Sequence, residues 1–329
     1  MRELKTKLTT SGKGLTNIQS KRIKGFGYQV LGFGSGGAPK VIIPYSVEWL
    51  CIAGGASGGC GAAGGGGAGG YRLKYASENS GGGTDTESTR TLSGYTVYTI
   101  TIGAGGATQS SVDQRGNVGV DSSITGSDIT DITSAGGGGG GACGGTDRND
   151  AGGSGGSGGG AGEYDGGASG GSGTANQGYG GGDSNASYNY DGAGGGGASA
   201  VGQDVYNDLI GGDGGAGLSS NITGSSVARG GGGGGGGDDS RSSGGSGGGG
   251  EGSSNYTTGG AGDANTGGGG GGARQSANSG GAGGSGVVIL RMADGDYSGT
   301  TTGSPTVNTN VGGSGDTVVI FTGNGSYTG

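Results

Sequence analysis

The sequence predicts a mainly β protein in which a small β-sheet is joined to a bundle of polyglycine II helices, with essentially no α-helix. Glycine supplies 104 of the 329 residues, whereas only 27% of the residues are hydrophobic. Short strand-like runs alternate along the chain with unbroken glycine runs. The chain holds three prolines and lacks a strict Gly-X-Y period, so collagen is excluded.

So small an apolar fraction cannot form an ordinary core, because ordering each residue costs on the order of 1–2 kcal/mol. Backbone hydrogen bonding between closely packed glycine segments remains as a source of stability. A polyglycine II helix has three residues per turn and no internal hydrogen bonds, so its N–H and C=O groups can bond to several neighbours. The alternative is a flexible Gly/Ser-rich linker. We favour the ordered bundle.

Three regions follow one another along the chain. Residues 1–45 form a basic attachment segment, in which positions 1–40 hold eight Lys or Arg residues (Lys21, Arg22 and Lys24 among them) and one acid. Residues 46–291 form a domain of strands and polyglycine helices with loops between them. Residues 292–329 form a C-terminal strand segment.

Five runs predict the strands. Residues 47–53 come first, and residues 96–102 alternate threonine with larger side chains at the period of two of a half-exposed strand. Residues 287–291 and 317–321 are aliphatic. Residues 122–133 supply a further strand through Ile124, Ile129 and Ile132. Trp49 and its apolar neighbours are assigned to the core of this sheet.

The glycine runs span residues 64–67, 136–141, 194–197, 230–237, 247–250 and 267–272. This imperfect repetition predicts rods separated by loops. We assign a structural role to the first and last glycines of four of these runs: Gly136, Gly141, Gly194, Gly197, Gly230, Gly237, Gly267 and Gly272.

Four phrases occur in a characteristic order. They are a strand leading into Ala-Gly-Gly (47–55), Gly-Gly-Ala-Gly-Gly-Tyr-Arg (66–72), a Thr/Ile strand leading into Gly-Ala-Gly-Gly (99–106), and Gly-Gly-Ser-Gly followed by an aliphatic strand (283–291). In these phrases the chain resembles the glycine-rich domain of bacteriophage tail-fibre and adhesin proteins, of the type frequent among marine phages. Residues 1–45 do not match these phrases, and the chain from Ala293 onward matches them only loosely.

The resemblance implies a virion structural protein, a tail-fibre or adhesin subunit that attaches the phage to the host cell surface. Loops displayed on the polyglycine scaffold would contact a host receptor, either a glycan or an outer-membrane protein. Residues 1–45 would dock onto other tail or fibre proteins of the virion, and a homotrimer is compatible with this role. The alternative is a purely structural filament or a capsid or tail decoration subunit without receptor contact.

Tyrosines and acids in the loops are the candidate receptor-binding residues, because tyrosine offers a large contact area at low entropic cost. Any one of these tyrosines could instead cover the outside of the glycine bundle. The candidates are Tyr164, Asp165, Tyr179, Asp183, Tyr188, Tyr190, Asp191, Tyr206, Asp238, Asp239 and Tyr256.

Other functions lack the residues that they need. The chain has no histidine, which removes the usual catalytic triads and most catalytic zinc sites, and we expect neither enzymatic activity, nor a cofactor, nor a metal. The formal net charge of −8 argues against nucleic-acid binding. The sequence shows no signal peptide and no apolar run of about 20 residues, so we expect synthesis in the host cytoplasm without membrane insertion. A secreted glycine-rich adhesive is disfavoured because it would need an export signal.

Overall fold

The computed structural model describes residues 42–112, 114–143, 150–163, 167–184, 191–205, 210–238, 240–255, 257–275 and 278–329. Pro44–Gly329 forms one structural unit. Lys21, Arg22 and Lys24 of the attachment segment lie outside the described residues.

The described residues contain β-strands and two short 3₁₀-helices, Asp294–Asp296 and Val311–Gly313, and no α-helix. The all-β class is therefore confirmed. The strands are β1 Tyr45–Ile52, β2 Tyr71–Lys74, β3 Arg90–Leu92, β4 Val97–Thr101, β5 Ser122–Thr125, β6 Ile132–Ser134, β7 Leu218–Ser220, β8 Val227–Arg229, β9 Val287–Ala293, β10 Thr300–Thr302, β11 Thr306–Asn308, β12 Asp316–Phe321 and β13 Gly325–Thr328.

The strands form two larger antiparallel sheets and one hairpin. The six-stranded sheet has the order β11-β12-β9-β1-β2, with β3 also paired to β1, and the five-stranded sheet has the order β10-β13-β4-β5-β6. Strands β7 and β8 form a separate hairpin. The C-terminal segment belongs to both sheets, because β12 pairs with β9 and β13 pairs with β4. The sequence predicts one small sheet, whereas the structure has two larger sheets.

Period-two alternation gives the six-stranded sheet two buried faces. Trp49 and Cys51 of β1 face the five-stranded sheet, where they meet Tyr98, Ile100 and the other buried residues of the main core. Leu50 and Ile52 of β1 face the opposite way, into a second apolar cluster. The two sheets therefore form a sandwich, and its outer face is also covered.

The loop between β7 and β8 covers the outer face of the six-stranded sheet. Ile222 of that loop is fully buried against Leu50, Ile52 and Ile289. Arg291 of β9 lies beside this cluster, donates to the carbonyl of Ile222 at 3.0 Å and pairs with Asp316 at 2.9 Å. The hairpin is therefore tied to the sheet by both apolar packing and a buried charge.

Extended glycine-rich segments connect the strands along the chain, and they bond to one another through the backbone. Residues 64–70 show the pattern: every third N–H donates to the same neighbouring segment. The donor and acceptor pairs are Gly64–Gly141, Gly67–Gly138 and Gly70–Ala135 for the first neighbour, Gly65–Ala193 and Ala68–Gly196 for the second, and Gly66–Gly270 and Gly69–Gly267 for the third.

Residues 231–237 repeat this threefold pattern with other neighbours. Their donor and acceptor pairs are Gly231–Gly247, Gly234–Gly250 and Gly237–Ser253, then Gly232–Gly215 and Gly235–Gly212, then Gly233–Gly66 and Gly236–Ala63. Each interior segment is thus bonded on three sides, and the backbone groups of buried glycines find partners without a β-ladder. Of the glycines assigned a structural role, all but Gly136 are buried.

Candidate functional site

The bundle of glycine segments has two ends. At the end beside the sandwich, Gly70 donates to Ala135 and Tyr71 donates to Gln177. At the other end, Cys143 donates to Gly61 and Glu163 donates to Ala62. We call this second end the distal face; its described residues include Gly61, Ala62, Cys143, Glu163, Asp191, Ile210, Asp238, Ser240, Asn255, Arg274 and Asn278.

Most of the predicted loop residues follow or precede residues of the distal face. Glu163, Asp191, Asp238 and Asn255 all lie on that face, and each is next in sequence to a predicted receptor-binding residue. The predicted residues that lie outside the described residues are Tyr164, Asp165, Tyr188, Tyr190, Tyr206, Asp239 and Tyr256. Their described chain neighbours are therefore gathered at one end of the glycine segments, although the intervening sequence is long.

Asp183 and Tyr179 lie on one glycine segment but near opposite ends. Asp183 is exposed; its Oδ1 accepts from the N–H of Gly170 at 2.8 Å, and its own N–H donates to Asp204 at 2.8 Å. Tyr179 bonds through its backbone to Gly158 and Gly197, and its hydroxyl lies beside Gly83 near the sandwich. Tyr179 is thus not brought together with the other candidates.

A partly buried ionic cluster holds three segment ends together at the distal face. Arg274 places Nη2 at 2.8 Å from Oδ1 of Asp238 and Nε at 3.4 Å from Oδ1 of Asp191. The N–H of Arg274 also donates to Ser253 at 2.6 Å. Because the side chain of Asp191 is 0% exposed, this residue contributes to the support of the face and not to its outer surface.

The charge of Asp191 is finely balanced. The pKa of Asp191 is raised from 3.8 to about 7, chiefly by burial; Arg274 lowers the pKa, whereas the nearby carboxylates of Asp238 and Glu163 add to the increase. A backbone hydrogen bond from Asp238 also lowers the pKa, by less than Arg274 does. The ion pair with Arg274 is therefore the main interaction that favours the charged form.

Further contacts cross-link the bases of the distal turns. Gln275 donates to Asn255 at 3.1 Å, and Sγ of Cys60 donates to the carbonyl of Asn278 at 2.9 Å. Ile210 forms a bridge with Ser240 and is 44% exposed. In its described part, the distal face thus consists of segment ends that are cross-linked by hydrogen bonds.

The ionic cluster was not predicted from the sequence, because its members are distant along the chain. A usable signal was present: Asp238 directly follows the glycine run 230–237, Asp191 directly precedes Gly192, and Arg274 follows the run 267–272 by two residues. Charged residues at the ends of three rods are the residues that a packed bundle would bring together.

Neither a metal site nor a membrane span is found in the part of the chain that the structure describes. No three Cys, Asp or Glu side chains there are grouped so that they could hold a metal ion. Likewise, none of its helices has the length and apolar character needed to cross a membrane.

A family model for a glycine-rich domain matches residues 34–293. The chain belongs to this glycine-rich domain family. The family match ends at Ala293, the last residue of β9, and includes every glycine segment of the bundle. No curated protein matches the chain. The family is defined by its glycine-rich composition and its name states no activity.

Proposed function

We propose that this glycine-rich domain protein is a bacteriophage virion component, a tail-fibre or adhesin subunit that attaches the particle to the host surface. The observation that carries the proposal is the gathering of the loop ends at the distal face. Glu163, Asp191, Asp238 and Asn255 come from four different glycine segments and lie on one face. A surface built from several loops on a fixed frame is a common way to present a binding site.

The frame itself is proposed to be a bundle of polyglycine II helices. The repeat of three in the hydrogen bonds of residues 64–70 and 231–237 is the repeat that such helices have. A seven-residue segment such as 136–142 would span roughly 20 Å at about 3.1 Å per residue. The frame would therefore hold the distal face well away from the sandwich.

The chemistry of the loop residues suits a recognition surface. Tyrosine is present at positions 164, 188, 190, 206 and 256, among Ser, Asn, Asp and Gly residues. This combination provides rigid aromatic contact area together with adaptable hydrogen bonding. A host glycan or an outer-membrane protein is the proposed receptor. Other tail or fibre proteins are the proposed partners of residues 1–45, and a trimer is the proposed assembly.

The test measures adsorption of the purified full-length protein, labelled with a fluorophore, to host cells. The test variant replaces Tyr164, Tyr188, Tyr190, Tyr206 and Tyr256 by serine. We expect its binding to cells to fall at least tenfold with an unchanged melting temperature, because the proposed role of these tyrosines is to contact the receptor. The matched control is Tyr95→Ser, since Tyr95 is 58% exposed and lies two residues before β4 of the sandwich.

Equal adsorption of the wild-type protein and the five-tyrosine variant would contradict the proposal. So would a lack of saturable binding to any cell susceptible to the phage that encodes the protein. An equal loss of binding in Tyr95→Ser would show that the effect is not specific to the distal loops.

A second candidate, a structural filament or decoration subunit, is favoured by the edges of the sandwich. Strand β11 is exposed at all three residues and forms one edge of the six-stranded sheet, and β10 forms one edge of the five-stranded sheet. Edge strands offer unpaired backbone groups to another chain. Repeated contacts through these edges in electron micrographs of intact particles, with the distal loops also packed against neighbouring subunits, would favour this role over attachment.

A further inference from the structure

A polar cleft of about 470 Å³ lies beside the sandwich, at the opposite end of the glycine segments from the distal face. Its walls come from β2, from the segment that joins β2 to β3, and from the turn that precedes Gly178. This volume lies within the range of small-molecule sites. The lining residues are Arg72, Thr84, Asp85, Glu87, Ala175, Asn176 and Gln177.

One wall of the cleft is held rigidly by an ion pair. Arg72 and Glu87 form a bidentate contact, with Nε–Oε1 at 2.8 Å and Nη2–Oε2 at 2.6 Å. Arg72 also donates to the carbonyl of Thr133 at 3.1 Å, and its guanidinium lies 5.8 Å from the ring centre of the buried Trp49. These contacts fix the position of two charged side chains before any ligand arrives, which lowers the entropic cost of binding.

The other wall carries hydrogen-bonding groups that are available to a ligand. Oε1 of Gln177 accepts from the N–H of Ala135 at 2.8 Å, so its amide nitrogen is the group that it can offer to a ligand. Asn176 is exposed at the tip of its turn, with a φ of 64°. Asp85 is exposed on the facing segment. Amide donors and carboxylate acceptors thus both line the cleft.

We infer that this cleft binds a neutral monosaccharide unit. Adjacent hydroxyl groups of a sugar act both as donors and as acceptors, and they match a site that mixes amides, a hydroxyl and carboxylates. The lining includes one guanidinium and two carboxylates, so it carries a net negative charge that disfavours phosphate and acidic sugars. The hydroxyl of Tyr179 abuts Gly83, next to the cleft residue Thr84.

This site is separate from the distal face, and its test does not depend on the proposed attachment function. The probes are the methyl glycosides of glucose, galactose, mannose and N-acetylglucosamine, each titrated into the full-length protein and followed by saturation-transfer NMR. We expect saturable binding of at least one of the four at millimolar concentration.

The test variant combines Asp85→Ala with Asn176→Gly. Glycine tolerates the positive φ of position 176, so the turn keeps its conformation while the side chain is removed. Losing hydrogen bonds from both walls should weaken glycoside binding roughly tenfold or more. The matched control combines Asp263→Ala with Asn265→Gly, because Asn265 has a φ of 62° in another turn and Asp263 is exposed. The control should bind like the wild-type protein.

Three results would overturn the inference. The first is the absence of saturable binding by all four glycosides. The second is equal affinity of the wild-type protein and of a cleft variant whose melting temperature shows that it is folded. The third is variant-sensitive binding of a lysine-containing tripeptide, used as a parallel probe, in place of any glycoside.

Discussion

At the scale of single residues, the bundle requires glycine because its backbones approach too closely for a side chain. A Cβ atom added at Gly65 would lie within 3.0 Å of the carbonyl of Gly233, and one added at Gly233 would meet the carbonyl of Gly270 in the same way. Buried alanines such as Ala68 and Ala193 occupy the positions where the segments leave room. Glycine content is thus a packing requirement of this fold and not only a source of flexibility.

Substitution of one interior glycine tests this requirement. Gly233→Ala should lower the free energy of unfolding by about 1–3 kcal/mol or more, because the new methyl group meets backbone that cannot rotate away. Gly94→Ala is the matched control, since nothing lies within 4 Å of its added Cβ, and its effect should stay within about 1 kcal/mol. Urea unfolding curves measure both. Similar losses in the two variants would contradict the packing argument.

Asp191 makes a pH-dependent contribution to stability. Its pKa in the folded protein is about 7, above the 3.8 of an ordinary aspartate, so the folded state retains a proton that the unfolded state releases between these values. The stabilising contribution is fully present below about pH 4 and declines as the pH rises through about 7.

Asp191→Asn should therefore flatten the decline of melting temperature between pH 5 and pH 8, because asparagine does not titrate. Arg274 retains Asp238 as a partner at 2.8 Å in this variant. Asp263→Asn, at an exposed acid, serves as the control and should leave the pH profile of the wild-type protein unchanged. An identical decline in Asp191→Asn and the wild-type protein would refute the role assigned to Asp191.

At the scale of elements, the long aliphatic strands were predictable and the short polar ones were not. The runs at 47–53, 96–102, 287–291 and 317–321 correspond to β1, β4, β9 and β12. The run 122–133 proved to be the hairpin β5–β6, in which Ile124 pairs with Ile132. Strands such as β7 and β10 have three residues with little apolar character, and their pairing partners define them more than their own sequence does.

The β7–β8 hairpin offers a test at this scale, because Ile222 is the fully buried side chain of its loop. Ile222→Ala should cost about 2–5 kcal/mol of stability, since it leaves a cavity against Leu50 and Ile289. Ile210→Ala is the control, because Ile210 is 44% exposed. Thermal unfolding of the two variants distinguishes them. A smaller loss for Ile222→Ala than for Ile210→Ala would contradict the assigned packing.

At the scale of the whole molecule, two kinds of stabilisation are joined in one chain. The sandwich is held by an apolar core that includes Trp49, Tyr98, Leu290 and Phe321. The glycine segments are held by backbone hydrogen bonds to as many as three neighbouring segments. Each strand that leads into a glycine segment, as β1 leads into residues 53–59, fixes where that segment starts.

The sequence predicts that glycine segments pack together, but not which segments are neighbours. A run of glycines has no side chains to distinguish one neighbour from another, so the order of the bundle depends on the sheets and on charged residues at the segment ends. The alternation of rods and loops predicts loops at the far end of the rods, and the described chain neighbours Glu163, Asp238 and Asn255 of candidate residues lie at the distal face. The charged residues at the segment ends were visible in the sequence, but the pairing of Arg274 with Asp191 and Asp238 depends on three-dimensional neighbours. The polar cleft beside Gln177 depends on such neighbours as well.

Amide hydrogen exchange across the glycine segments tests the central claim most directly. The account predicts that the N–H groups of residues 64–70 and 231–237, which are bonded to neighbouring segments, exchange as slowly as those of β1 and β9 in the core of the sandwich. Exchange of these glycines at the rate of an unstructured peptide, while β1 and β9 remain protected, would contradict it.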